Sequence, residues 1–140
     1  DRMPASDLKY KGYSGDGFVE MDTATTIRFT LEIKPEETGN YLLDFRYSNG
    51  YGPVNTDNKC AIRSLRVNGK EMGTVVFPQR GTDEWSNWGY TNSHSIYLKE
   101  GPNQIKLVYA PENANMSDDV NGALVDMARL IKAIPKFSVQ

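Results

Sequence analysis

Polar and apolar residues alternate with period two over several stretches of the chain, and strands are the first thing this predicts. Ile27, Phe29, Leu31 and Ile33 are separated by Arg28, Thr30 and Glu32. Successive side chains of a strand point to opposite faces, so this segment reads as a half-buried β-strand. Asn40–Tyr51 repeats the pattern over its first eight residues. Tyr41, Leu43, Phe45 and Tyr47 share one face, while Leu42, Asp44 and Arg46 take a mostly polar one. Ser48-Asn49-Gly50 then breaks the ladder and brings Tyr51 out on a turn. A rigid strand that feeds a polar cluster and a ring suits a site displayed on loops above a scaffold.

Further strands follow from the same reasoning. Phe18 and Val19 begin one after the glycine-punctuated stretch Gly12–Gly17, and Pro35 through Gly39 turns the chain. Lys59–Val67 and Glu71–Phe77 flank Asn68-Gly69, a hairpin signal that favours a type I′ turn. Ser93–Leu98 and Gln104–Tyr109 form another hairpin across Lys99–Asn103. Leu124–Ile131 reads as a closing strand, although Met127–Leu130 also suits a helix. Gly50–Asn58, Pro78–Gly89 and Pro111–Gly122 are long loops. About eight short strands without an amphipathic helix or a repeat suit a sandwich or a barrel. The preferred fold is an all-β jelly-roll β-sandwich of two antiparallel sheets. Asp1–Asp7 and Lys132–Gln140 look like linkers, so residues 1–140 are expected to form a single module excised from a larger protein.

Composition narrows the function. A net charge of −2 with 24% charged residues gives no electrostatic footprint for nucleic acid. No apolar run approaches the roughly 20 residues that cross a bilayer, so membrane insertion is not expected. The opening Asp1-Arg2-Met3-Pro4 has no signal-peptide pattern and fits a mature fragment. Cys60 is the single cysteine, which excludes an internal disulfide and a cysteine-based zinc site.

Six segments, in order, resemble carbohydrate-binding modules of families 6 and 35, which are galactose-binding-like β-sandwiches. They are Gly12–Glu20 (GYSGDGFVE), Tyr41–Gly50 (YLLDFRYSNG), Leu65–Phe77 (LRVNGKEMGTVVF), Glu84–Trp88 (EWSNW), Ile96–Tyr109 (IYLKEGPNQIKLVY) and Leu124–Leu130 (LVDMARL). The resemblance implies a jelly roll attached to a secreted glycoside hydrolase, binding an oligo- or polysaccharide without cleaving it. A location outside the cell, in the periplasm or at the cell surface follows. It also implies a loop cleft at one end, with Asn49 and Tyr51 from one loop and Trp85 or Trp88 from the next. The family's Asn before the last strand falls on Leu124, so Asn121, or Asp118 or Asp119, has to replace it. The family also holds a structural calcium between an early Glu and a late Asp. Asp126 matches the late Asp, but the early Glu is absent before Gly12, so any Ca2+ is expected to be structural and weak.

The residue chemistry agrees with sugar binding. A ring covers the C–H face of a pyranose, while Asn, Asp and Arg satisfy its hydroxyl rim. Trp85 and Trp88 are three residues apart, so on an extended loop they point to opposite sides: one exposed, the other plugging the core. The alternative has both in the core. Tyr51, between glycines, is hard to place in a core, and Tyr90 is a further candidate ring. Asp118 and Asp119 offer oxygen ligands of the kind calcium takes, but without a calcium-loop pattern or a closing glutamate the preferred reading is a solvated acidic loop. His94, the one histidine, sits in a strand and is expected at an exposed or edge position. Glycoside cleavage needs two carboxylates across a cleft, and no pair is singled out, so no enzyme is expected. The rival to sugar binding is a structural sandwich that packs against an attached catalytic domain.

Overall fold

The computed structural model describes residues 19–21, 26–50, 61–81, 86–113 and 122–132. The strands are β1 (Val19–Met21), β2 (Ile27–Ile33), β3 (Gly39–Ser48), β4 (Ala61–Val67), β5 (Lys70–Phe77), β6 (Gly89–Tyr90), β7 (His94–Leu98), β8 (Gly101–Val108) and β9 (Ala123–Lys132). Short 3-10 turns occupy Pro35–Glu37 and Pro111–Asn113. One sheet runs β1-β9-β3-β6, with β7 also paired to β3, and the other runs β2-β8-β4-β5. Every pairing is antiparallel, as the two-sheet sandwich requires.

The period-two face of β3 becomes the core. Leu43, Phe45 and Tyr47 are buried against Leu65, Val75, Phe77, Ile105 and Leu107 from the facing sheet. Tyr47 meets Phe77 edge-on with ring centroids 5.4 Å apart, and its hydroxyl donates to the Pro78 carbonyl at 2.8 Å. That single side chain therefore joins the sheets at the end of the sandwich where β3 and β5 run out. Asn68 and Gly69 take positive φ values of 52° and 82°, the pair of left-handed residues that a type I′ hairpin demands.

Leu124–Ile131 forms the expected closing strand, with Met127–Leu130 in the ladder against β3. Two details differ from the sequence expectations. The loop Pro78–Gly89 ends in a two-residue strand, β6, whose Gly89 and Tyr90 pair with Tyr47 and Arg46. The second hairpin has a tighter turn than Lys99–Asn103, since β8 begins at Gly101 and Asn103 already faces Leu31 in the ladder.

The register also fixes where the loops gather. Ser48 lies opposite Leu124, Tyr47 opposite Gly89, Ala61 opposite Phe77 and Ser64 opposite Val108. The chain therefore leaves β3, β5 and β8, and enters β4, β6 and β9, at one end of the sandwich.

Candidate functional site

At that loop end, the outward face of β3 carries Asp44 and Arg46, and its two neighbours complete each of them. β9 places Arg129 opposite Asp44, and β6 places Tyr90 opposite Arg46. The ladder of β3 with β9 shifts register between Arg46 and Tyr47, leaving Asp126 as the extra residue of a bulge. A bulge re-aims a side chain, and this one carries the Asp126 carboxylate to Arg46, Nη1 to Oδ2 being 2.6 Å. Asp126 has no exposed surface, whereas the Arg46 side chain keeps 24%. The Arg46 guanidinium lies 5.4 Å from the centroid of the half-buried Trp88 ring.

A second stack sits beside the first. Arg129 donates through Nε to Asp44 Oδ1 at 3.0 Å and through Nη2 to Oδ2 at 2.6 Å, a bidentate pair. Its guanidinium carbon is 3.8 Å from the ring centroid of Tyr90, a residue that is 42% exposed. The hydrogen bond to Asp44 raises the Arg129 pKa above its ordinary value against a smaller opposing effect of burial, with the Asp44 and Tyr90 charges adding to the rise. That guanidinium stays charged at every pH of interest.

Backbone ties deliver Trp88 to this place. The Arg80 N–H donates to the Asn49 carbonyl at 2.8 Å, and Asn87 Nδ2 donates to the Arg80 carbonyl at 2.6 Å. Arg80 Nε returns a bond to the Asn87 carbonyl at 3.1 Å. The Arg80 guanidinium lies directly on Gly89, where any Cβ would collide with it. Glycine at 89 leaves room for the Arg80 side chain to lie there, and a larger residue would displace it.

Of the residues expected at the site, the structure describes Asn49, Trp88 and Asp126; Tyr51, Trp85 and Asn121 lie outside the described residues. Asp118 and Asp119 also lie outside them. Asn49 departs from the expectation of a sugar contact. It is fully buried, and its Nδ2 donates to the Phe77 carbonyl at 2.9 Å, which makes it a bracket between β3 and β5 beneath the loops. Leu124 is buried at 3% exposure and so offers no polar contact in the place of the family's Asn. His94 is half-buried, with Nε2 2.9 Å from the Thr74 carbonyl, so it bridges β7 to β5.

Asp126 is expected from the sequence at the position of the family's late calcium ligand. Its carboxylate is already paired with a guanidinium, and among the described residues no group of three His, Cys, Asp or Glu is placed to hold a metal ion. Among the described residues, the donors around Asp126 do not make up a calcium site.

Three residues escaped the sequence reading. From the sequence, Asp44 and Arg46 are only part of a mostly polar face, and Arg129 has no assigned role. The available signal was an acid and a base three residues apart on the closing strand, matching an acid and a base two apart on β3. Arg63 was missed too. It lies in step with the buried Ala61 and Leu65, is 1% exposed, and its guanidinium is 5.6 Å from the Tyr109 ring. Its Nη1 donates to the Ile62 carbonyl at 2.7 Å.

A two-sheet sandwich with its long loops at one end and aromatic rings held there is the form of a galactose-binding-like carbohydrate-binding module. No family model matches the chain. It is 30% identical over 109 residues to a cycloisomaltooligosaccharide glucanotransferase of Niallia circulans, covering 78% of this chain and 10% of that protein. Among solved structures it is similar to a family 35 carbohydrate-binding module from an environmental isolate, with TM-score 0.67 and 28% identity over 89% of this chain and 80% of that one. It is similar also to the Paenibacillus sp. cycloisomaltooligosaccharide glucanotransferase complexed with cycloisomaltoheptaose, with TM-score 0.68 and 27% identity over 91% of this chain and 18% of that one. By fold and sequence the chain is similar to carbohydrate-binding modules of family 35. It spans about a tenth of the length of the glucanotransferase that it matches.

Proposed function

We propose that the chain is a non-catalytic module that binds a polysaccharide and holds an attached carbohydrate-active enzyme against it, outside the cytoplasm where such polymers lie. The observation that carries this reading is the pair of rings, Trp88 and Tyr90, seated on guanidiniums at the loop end. Cycloisomaltoheptaose in the Paenibacillus structure makes isomalto-oligosaccharides the first ligands to try. Trp88→Ala and Tyr51→Ala are each expected to cost about 1 to 3 kcal/mol of binding, the scale of burying one large side chain. In isothermal titration calorimetry that is roughly a 5- to 150-fold rise in Kd. Binding that survives both changes, or no binding on a glycan array, would sink the reading.

The docking rival draws support from a different place. Leu42 and Ile131 are register partners on the outward face, 37% and 48% exposed, and they lie away from the loop end. An apolar pair there suits contact with a neighbouring domain. A chain that docks and does not bind sugar would be silent against every glycan.

Any bound calcium is expected to be structural and weak, since Asp126 is paired with Arg46. Adding a chelator is expected to move the melting temperature by no more than a few degrees in differential scanning fluorimetry. A large drop would reveal a metal held by other ligands.

A further inference from the structure

Two carboxylate–guanidinium–aromatic stacks lie side by side on β3: Asp126–Arg46–Trp88 and Asp44–Arg129–Tyr90. In both, an arginine nitrogen is 2.6 Å from its own carboxylate, and the two acids keep only 0% and 5% side-chain exposure. A lone guanidinium at a sugar site is a receptor for a carboxylate, because its planar fork matches one bidentately. Arg129 already uses two of its nitrogens on Asp44. A charge cancelled at that distance leaves a local dipole, whose field fades quickly in salt water. What remains is a flat plate behind each ring.

The rings are placed to use those plates together. Trp88 lies by the Arg46 guanidinium and Tyr90 by that of Arg129, so both rings sit over the outward face of β3 and β9. We infer that this end of the module takes an uncharged saccharide, with Arg46 and Arg129 acting as positioning residues for the Trp88 and Tyr90 rings and not as receptors for a sugar acid. This rests on the carbohydrate-binding reading above. Affinity then comes from apolar burial of C–H faces, which ionic strength barely touches. A uronate laid on the rings finds its arginines engaged, with a buried carboxylate behind each.

The test compares a neutral isomalto-oligosaccharide with a glucuronic-acid-containing oligosaccharide by calorimetry, in about 20 mM and about 500 mM salt, where screening lengths differ severalfold. The neutral sugar is expected to bind with Kd changing less than about twofold, and the uronate to bind at least about tenfold more weakly. Asp44→Asn frees the Arg129 charge and is expected to add salt-sensitive uronate binding. Arg46→Lys keeps the charge but removes the plate. It is expected to shift and broaden the Trp88 indole N–H resonance, identified by its loss in Trp88→Ala, and to weaken neutral-sugar binding about fivefold. Arg129→Lys repeats the weakening on the more exposed stack should Arg46→Lys fold poorly. A wild-type preference for the uronate, a steep salt dependence with the neutral sugar, or ring resonances and neutral-sugar Kd unmoved in both lysine variants overturns the inference while leaving carbohydrate binding intact. Silence toward both sugars overturns the two together.

Discussion

Arg46→Met is expected to lower the unfolding free energy by about 3 kcal/mol. Breaking a buried ion pair from one side typically costs about 3 to 5 kcal/mol, because the remaining charge has neither water nor partner. Asp126 is at 0% exposure and loses its Arg46 partner, while Arg46 itself keeps 24%, so water can partly reach the gap and the lower end applies. A second ion pair supplies the control. Arg66 Nε is 3.3 Å from Glu71 Oε2, with the side chains 45% and 53% exposed. Such a pair contributes about 0 to 1 kcal/mol, so Arg66→Met is expected to be nearly silent. The double variant Arg46→Met/Asp126→Asn should recover part of the loss, since it removes the stranded charge. Urea denaturation with unchanged m-values measures all three. Equal effects at Arg46 and Arg66 would show that the Asp126 carboxylate is not held by Arg46 in solution.

That pair also marks where sequence reasoning runs out. The strands with clean alternation were legible because the pattern is local: Ile27–Ile33 and Tyr41–Tyr47 each declare a buried face without reference to any partner. β6 was not, since two residues carry no period, and its existence depends on Arg46 and Tyr47 offering free ladder positions. Leu124–Ile131 read as a strand with a helical alternative at Met127–Leu130, because its apolar residues fit either period; the ladder with β3 decided it.

The site was legible in residue type and not in arrangement. Aromatic rings in loops point to a sugar from chemistry alone. What anchors Trp88 and Tyr90, however, arises from cross-strand register and a bulge, neither of which leaves a local mark in the sequence. Asn49 shows the converse. A polar residue in a turn looks available, and only the facing sheet reveals that its amide satisfies the Phe77 carbonyl. An unpaired buried carbonyl costs enough that such a bracket is a structural necessity first.

Asn103→Ala is the other change expected to cost about 3 kcal/mol, and it acts at the opposite end of the sandwich. Asn103 is fully buried at the tight turn between β7 and β8. Its Nδ2 donates to the Lys99 carbonyl at 2.8 Å and the Gly101 carbonyl at 3.0 Å, and its Oδ1 accepts from the Lys99 N–H at 3.0 Å. The same oxygen accepts from Asn68 Nδ2 at 3.0 Å, tying in the Asn68-Gly69 hairpin. One side chain thus closes one turn and pins another. Each buried partner left without a hydrogen bond costs about 1 to 3 kcal/mol, and the exposure of Lys99 lets water relieve some of that. At this chain length the loss corresponds to a fall of roughly 10 °C in melting temperature. Asn103→Asp separates the two arms: it keeps the acceptor and turns the donor into an oxygen facing two carbonyls, so it should be no more stable than the alanine variant. A fully stable aspartate variant would show that the Nδ2 bonds contribute nothing. Because the loop end lies at the far side of the sandwich, both variants should bind sugar as the wild type does wherever they remain folded. A lost affinity at low temperature would mean that the two ends are coupled through the sheets.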